Sequence, residues 1–346
     1  MPIEFRRATP EDLPEIANLM QIAFEAGPDA PFLDHDLLRW KYFEPGPEWD
    51  GARSYVLRQD GKLVAHGCVW PVRIMFEGRL QSGVCLLDWV ASKIPRGSGI
   101  QLVRKLDSLA DFTLSIGGSK ATRHIMPRIG FERVWEQRIY ARVLRPFRQF
   151  RTRPGSKTPR EIARLLRNTA YWLAPKAIAN TWSAREVEAI ENRLLADSQS
   201  SAGPASIHQQ AFIRYVRRCP AAHVRTYELL RKTKPSGYLV LSRVNGQSRI
   251  AELRIDSRDE TDRKAALATA VKAALDTPEA CELVAIASGS VSCGALEANG
   301  FRLRDRRPVF LQDPKKLIQV QGAPWDLTML DDDSAFLNIP EHPYLT

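Results

Sequence analysis

The residues best suited to hold an anion or move a proton are few. Arg96-Gly97-Ser98-Gly99 stands directly before Ile100-Gln101-Leu102-Val103-Arg104-Lys105-Leu106, whose apolar residues recur at helical spacing. Glycines let a backbone bend tightly and approach a ligand, the N–H groups opening the next helix attract phosphate, and Arg96 adds a charge-assisted contact. The same turn also serves as a plain tight connection in many proteins. Asp88 directly follows the apolar run Val84-Cys85-Leu86-Leu87. Alternation puts it on one strand face with Val84, Leu86 and Val90, where a dry setting would make its carboxyl a base near neutral pH. The plainer reading is a carboxylate that caps a loop or pairs with an arginine. His66, flanked by Val64 and Cys68 on a strand face, is the second candidate base or else a satisfied strand histidine, and His124 falls on a packing helix. Asp331-Asp332-Asp333 reads as an exposed acidic loop rather than a preformed cage for a cation.

The elements that must position these groups follow from the apolar pattern. Residues 3–6 read as a strand, and Thr9-Pro10-Glu11-Asp12 as a helix start with a cap, a proline and acidic residues in its first turn. A short helix is expected over 34–42, and strands over 54–58 and 63–70 are joined at Asp60-Gly61. A third run at 73–77 turns at Gly78 into 83–91, completing an antiparallel meander. Then come the glycine turn, a helix, a strand at 112–116 and a helix at 120–128 ending before Gly130-Phe131. Thr158-Pro159-Arg160-Glu161 and Ser183-Ala184-Arg185-Glu186 both read as helix starts, the first with capping-box spacing.

A weak internal repeat is visible. Leu37-Leu38-Arg39-Trp40 before Pro45 is echoed by Phe212-Ile213-Arg214-Tyr215 before Pro220, and Gly130-Phe131 by Gly300-Phe301. Between the second pair of landmarks lie strands at 238–241, 249–255 and 282–286 and a helix at about 263–275. The expected fold is therefore α/β of the α+β kind: two tandem domains, each a mixed, mostly antiparallel sheet flanked by helices. The expected divisions are a first domain over 1–141, a basic helical linker over 142–205 and a second, degenerate domain over 206–346. Ser198-Gln199-Ser200-Ser201, running into Ala202, Gly203 and Pro204, is the best candidate for a flexible join.

Composition sets the outer bounds. A length of 346 residues exceeds what one core usually serves, and 44% apolar with 26% charged residues is a globular mixture. The first residues lack the apolar stretch of a signal peptide and no apolar run is long enough to cross a bilayer, which points to a soluble cytoplasmic protein. Five scattered cysteines in apolar settings read as reduced core thiols, and no pair has zinc-ligand spacing. The net charge of +10 is concentrated at Arg142, Arg145, Arg148, Arg151, Arg153, Arg160, Arg164 and Arg167. Cofactor phosphates, a transfer RNA or an anionic membrane surface would each suit such a stretch, as would a solvated basic face. Leu165, Leu166, Tyr171, Trp172 and Leu173 beside it suit packing between domains or a lipid surface. Trp325 is expected to dock the last segment onto the second domain.

Through Arg96-Gly97-Ser98-Gly99-Ile100 after a strand, Ile129-Gly130-Phe131 after a helix, and the opening Arg7-Ala8-Thr9-Pro10-Glu11-Asp12-Leu13, the chain resembles the GNAT superfamily of N-acetyltransferases. The resemblance covers residues 1 to about 140 by motif and 206 to about 312 by order of elements. It implies transfer of an acyl group from acetyl-CoA or another acyl-CoA to an amine, a small molecule or amino sugar, with no metal. It implies a cofactor held by Arg96, Gly97, Ser98, Gly99, Ile100 and Gln101, and by the main chain of Val90 beside the pantetheine. It makes Asp88 the candidate general base. The family motif asks for Gln or Arg, two free positions, Gly, a free position, then Gly or Ala. Counted from Arg96 the last position is Gln101, and counted from Ile94 the first is apolar. Met126, and Leu296 in the second half, stand where the family often has a tyrosine acid, and 256–260 has no glycine turn, so the cofactor is expected in the first domain only. Two other readings stay open: a transferase resembling the FemAB type, which uses aminoacyl-tRNA, and a non-catalytic scaffold or binding protein of the same fold.

Overall fold

The computed structural model describes residues 3–155, 158–174, 181–197, 203–287, 289–318, 322–338 and 343–346. In chain order its elements are β1 (Ile3–Arg7), α1 (Leu13–Ala23), α2 (His35–Tyr42), β2 (Ser54–Gln59), β3 (Lys62–Phe76), β4 (Arg79–Ala91), α3 (Ser98–Asp107), β5 (Thr113–Ile116), α4 (Lys120–Ile125) and β6 (Glu132–Val143). There follow α5 (Pro146–Thr152), α6 (Pro159–Leu173), β7 (Trp182–Val187), α7 (Asn192–Asp197), β8 (Ala205–Ser206), α8 (Gln210–Val216), β9 (His223–Arg231), β10 (Lys234–Val244) and β11 (Gln247–Ile255). The last are α9 (Glu260–Leu275), β12 (Glu282–Ala287), α10 (Ser290–Ala298) and β13 (Arg302–Gln312).

Contacts divide the chain into two units, Met1–Trp135 with Pro308–Ala323, and Glu136–Arg307 with Pro324–Thr346. Two strands change unit along their length. β6 begins in the first and pairs with β12 in the second through Arg138 to Val143, while β13 ends in the first, pairing with β5 through Val309 to Gln312. The boundary expected at 141/142 thus falls inside β6, and the described residues of 142–205, expected as a linker, lie with the second unit and place Trp182 in its core. Of the expected flexible join, 198–202 lie outside the described residues.

In the first unit the strands run β1-β2-β3-β4-β5 and then the end of β13; β4 and β5 are parallel and the other pairs antiparallel. One face buries Leu57, Ala65, Val69 and Leu86 against Leu102, Val103 and Leu106 of α3, with Met126 and Phe131. Gly67 permits that packing, because a Cβ there would meet Leu106 Cδ1 at 2.9 Å. The runs expected as separate strands on either side of Pro71 are one strand, β3. Pro71 lacks an N–H, yet it stays in register opposite Val84. Asp34 caps α2 by accepting from Leu37 N at 2.9 Å, and Thr9 closes its capping box with Asp12 around a 3-10 turn at Pro10–Asp12 before α1.

In the second unit the order is the end of β6, then β12-β11-β10-β9-β7, with only β11 and β12 parallel. Leu239, Leu241 and Leu283 pack with Ala266, Ala270 and Ala274 of α9 and with Phe301. Ser183-Ala184-Arg185-Glu186, expected as a helix start, lies in β7. Trp182 and Ala184 point to the core while Arg185 reaches Glu228 across on β9, an alternation that suits a strand. The repeat landmarks coincide in structure: Gly130 and Gly300 have φ of +100° and +80°, and each precedes a buried phenylalanine. All five cysteines are buried and unbridged.

Candidate active site

Pairing between the parallel strands β4 and β5 consists of Val84↔Thr113 and Cys85↔Leu114 and stops there. Just beyond, β4 carries a bulge against β3: Cys68 faces Leu87 and His66 faces Val90, so Asp88 and Trp89 together oppose Gly67. Asp88 takes a φ of +49°, the left-handed region in which Asp is tolerated better than most residues. The bulge breaks the alternation expected from the sequence. Val84 and Leu86 face α3, whereas the Asp88 carboxylate turns to α2 on the other face.

There Asp88 Oδ2 accepts 2.8 Å from Lys41 Nζ and 2.7 Å from the Tyr42 hydroxyl, both from the last turn of α2, leaving Oδ1 out of both bonds. Lys41 is fully buried and the Asp88 side chain 12% exposed. His66 lies against the same group, its ring 5.0 Å from that of Tyr42 and its Nε2 2.9 Å from the Ser54 hydroxyl. Burial depresses the His66 pKa to about 3 and the Lys41 charge pushes the same way, outweighing the Asp88 main chain, so this imidazole is neutral near pH 7. Its Nδ1 finds no partner of hydrogen-bond geometry among the described residues, although the Asp88 main chain is near enough to favour protonation; the geometry argues for a weak contact at best. Lys41 and Tyr42 are the partners that sequence reading missed. The available signal was a lysine set inside the apolar turn Leu37-Leu38-Arg39-Trp40-Lys41-Tyr42.

The other face of the bulge carries the glycine turn. Gly97 has a φ of +88° and begins α3, whose first turn holds no acidic residue and receives no side-chain cap. Gly99 sits against β4: a Cβ there would lie 3.1 Å from Ala91 Cβ and 3.2 Å from Trp89 Nε1, which donates to Gly99 O at 3.0 Å. A larger residue would therefore pry the helix start away from the bulge. Arg96 and Gln101 are exposed and Ile100 is half-buried. Ser98 is buried, its hydroxyl donating to Pro95 O and Val64 O at 3.2 and 3.3 Å, so its main-chain N–H is the group it has to offer a ligand. The start of α3, Val90 and the Asp88 carboxylate are thus gathered around one bulge.

Other sequence candidates lie elsewhere. Met126 is buried in the core beside α3, and His124 is exposed on α4. The aspartates at 331–333 are not an exposed loop. Asp331 and Asp332 are buried, Asp331 accepting from Thr328 N at 2.6 Å, and burial raises the Asp332 pKa to about 6. Among the described residues no group of His, Cys, Asp and Glu is arranged to hold a metal, and no helix is long and apolar enough to cross a membrane. The arginines of 142–167 do not form one surface. Arg142 donates to Asn299 O, Arg145 to the carbonyls of Leu275, Thr277 and Ala280, Arg153 to Thr346 O, Arg164 to Glu161 and Arg167 to Asn168. A cavity of about 630 Å³ in the first unit, lined by Trp49, Arg73, Ser82, Arg104, Asp107 and Lys315, is built on the end of α3 opposite Gly97.

No protein-family model and no curated protein matches the chain. Solved structures do. Saccharomyces cerevisiae N-myristoyltransferase, determined with bound myristoyl-CoA and inhibitors, superimposes with a TM-score of 0.64 at 14% identity over 98% of this chain and 87% of its own. A GCN5-related N-acetyltransferase from Anabaena variabilis gives 0.57 at 11% identity over 90% and 73%, and a putative acetyltransferase from Pyrococcus horikoshii 0.56 at 12% over 95% of each. The chain shares the fold of these N-acetyl- and N-myristoyltransferase structures.

Proposed function

We propose that the protein is an acyl-CoA-dependent N-acyltransferase with its donor site in the first unit. The observation that carries this reading is the parting of β4 from β5 at a bulge, with an uncapped helix start pressed against the same bulge by Gly99. The donor's pyrophosphate rests on the main-chain N–H groups of 97–100, helped by Arg96, while the Gln101 N–H is taken by Gly97 O at 3.0 Å; its pantetheine runs along the β4 main chain at Val90. Of the two motif registers, the one starting at Ile94 puts its glycines at Gly97 and Gly99, the positions where φ and packing require them. Arg96 then falls at a free position and acts by charge alone.

In the reaction a neutral amine attacks the thioester carbonyl, whose oxygen is polarised by main-chain N–H groups of the bulge. The nitrogen–carbon bond forms, the carbon–sulfur bond breaks, and the departing thiolate takes a proton from solvent. Asp88 Oδ1, directly or through a water, accepts the proton that the amine loses, while Lys41 and Tyr42 hold the carboxylate in place. Met126 cannot serve as the acid, since it is an apolar side chain closed in the core. Acetyl is the simplest acyl group, and the acceptor is a small-molecule amine.

Thiol release from a panel of acyl-CoAs, in the presence of mixed primary amines, tests the reading. Amine-dependent release from at least one donor is expected. Donor binding with no release under any acceptor would reduce the protein to an acyl-CoA-binding module, an outcome to which the ion pairing of Asp88 with Lys41 already lends some weight.

A further inference from the structure

Although the basic stretch is dispersed, one of its arginines meets two others from β13. Arg302 and Arg304, two residues apart, share a strand face, and Arg167 approaches from α6. The Arg167 and Arg302 guanidinium carbons lie 5.9 and 5.2 Å from the centre of the Tyr171 ring. Arg304 is half-buried, and its Nε and Nη2 are buried without a hydrogen-bond partner among the described residues. Among the described residues Arg167 donates only to the neutral Asn168 Oδ1, at 3.0 and 3.2 Å. Among the described residues no carboxylate forms an ion pair with any of the three. Glu282 is near enough to be felt by Arg304, but its oxygens already accept from Gln247 Nε2, Leu345 N and Thr346 N at 2.7 to 2.9 Å.

A guanidinium cannot relieve such crowding by giving up its proton near neutral pH. Burial first, then the charges of Arg167 and Arg302, make the Arg304 cation costly, and only an added anion removes that cost. We infer that Arg167, Arg302 and Arg304 form a binding site for a phosphoryl group, whose charge offsets the three clustered guanidinium groups. Three forked donors suit a dianion with three terminal oxygens better than a carboxylate, which a single guanidinium satisfies. The Tyr171 ring already carries guanidinium groups, so it is a poor stacking platform for a nucleobase, and a phosphate ester or a lipid headgroup fits better than RNA.

The test uses the full chain at low salt, following the melting temperature and calorimetric heat as inorganic phosphate is added. Phosphate should raise the melting temperature of the wild type. Arg304→Gln and, separately, Arg302→Gln should weaken phosphate binding about tenfold or more, and Arg148→Gln, an exposed arginine outside the cluster, should leave it unchanged. Arg304→Gln also removes a partner-starved buried charge, so the unliganded variant should melt no lower than the wild type. Vesicles carrying phosphatidic acid form the second arm: capture that needs Arg302, without a response to free phosphate, assigns the phosphoryl group to a lipid. No response to either probe, an equal response to acetate, or capture of duplex RNA that needs Arg304 without a phosphate response would each overturn the inference.

Discussion

Each unit builds the same bulge beside the same parallel pair and then fills the opening differently. In the second unit β11 and β12 pair from Gln247↔Glu282 to Arg249↔Val284, and the register shift against β10 falls at Ala251, between Leu241↔Ile250 and Val240↔Glu252. There the chain's own segment closes the opening. Met329 N donates to Ala251 O at 3.0 Å, and Asp326, Leu327 and Thr328 line what remains, a cavity of about 60 Å³. That holds a few waters, whereas ligand clefts measure roughly 300–1,000 Å³. The helix starts differ in the same sense. α9 is capped by Asp259, which accepts from Thr261 N at 2.7 Å, and has Glu260 and Asp262 in its first turn, so carboxylates already occupy the ground an anion would take. α3 starts uncapped at a left-handed glycine. The lesson is that bulge and strand opening belong to the architecture, while an anion site also needs a helix start kept free of the protein's own carboxylates.

A buried histidine accompanies each bulge, neutral in the first unit and protonated in the second. His66 is neutral, depressed to about 3. Burial would depress His208 as well, but Glu252 and Asp331, each at 3.2 to 3.3 Å, overturn it and lift the pKa to about 10. The first unit thus keeps a neutral imidazole beside the Asp88–Lys41 pair, while the second locks its occupying segment with an ionic cluster of the buried Arg254 and Glu252 and the half-exposed Asp326.

The sharpest way to break this comparison is Asp88→Asn. Loss of the base should lower kcat by about 10²–10⁴, and loss of the Lys41 counter-ion should cost about 3 kcal/mol in urea unfolding. The double variant Asp88→Asn, Lys41→Met, which keeps a residue suited to the left-handed φ, should regain much of that stability and none of the turnover; recovered turnover would remove Asp88 from the mechanism. Next in size are the histidines. For His208 the folded pKa exceeds the ordinary imidazole value of about 6.5, so its contribution is complete below about pH 6.5 and lost as pH climbs toward 10. For His66 the folded value is depressed, so its contribution is present above about 6.5 and lost as pH falls toward 3. His208→Gln should flatten the alkaline limb of stability against pH and His66→Gln the acid limb, each by up to one proton, ~1.4 kcal/mol per pH unit. The same limb affected in both would contradict the contrast. Smallest are Gly130→Ala and Gly300→Ala, which should cost similar amounts, about 1 kcal/mol each, from left-handed φ; sharply unequal losses in chemical denaturation would weaken the equivalence of the two landmarks.

Much of this was legible in the sequence and some was not, for identifiable reasons. The glycine turn, the Asp60-Gly61 hairpin and the Gly-Phe landmarks were readable because glycine at a positive φ is a local requirement. The bulges were invisible, since Val84-Cys85-Leu86-Leu87-Asp88 is on paper an unbroken strand and only pairing with Gly67 shows the extra residue. The pairing of Asp88 with Lys41 and Tyr42 joins residues more than forty positions apart, which no periodicity reports. Asp331 and Asp332 looked like an exposed run because what buries them is not local: His208, which lies against Asp331, is more than a hundred positions away. The exchange of β6 and β13 between units escaped for the same reason: each strand is continuous in sequence and divided only by what it pairs with.

The most direct test of the central claim is calorimetric titration of the full chain with acetyl-CoA and longer acyl-CoAs, alongside Gly99→Leu and Met329→Pro. One site per chain is expected, weakened about a hundredfold or more by Gly99→Leu, which pushes α3 off Trp89 and Ala91, and unmoved by Met329→Pro, which removes the N–H that closes the second opening. Two sites per chain, one site that survives Gly99→Leu in a folded protein, or no binding at millimolar donor would contradict the account.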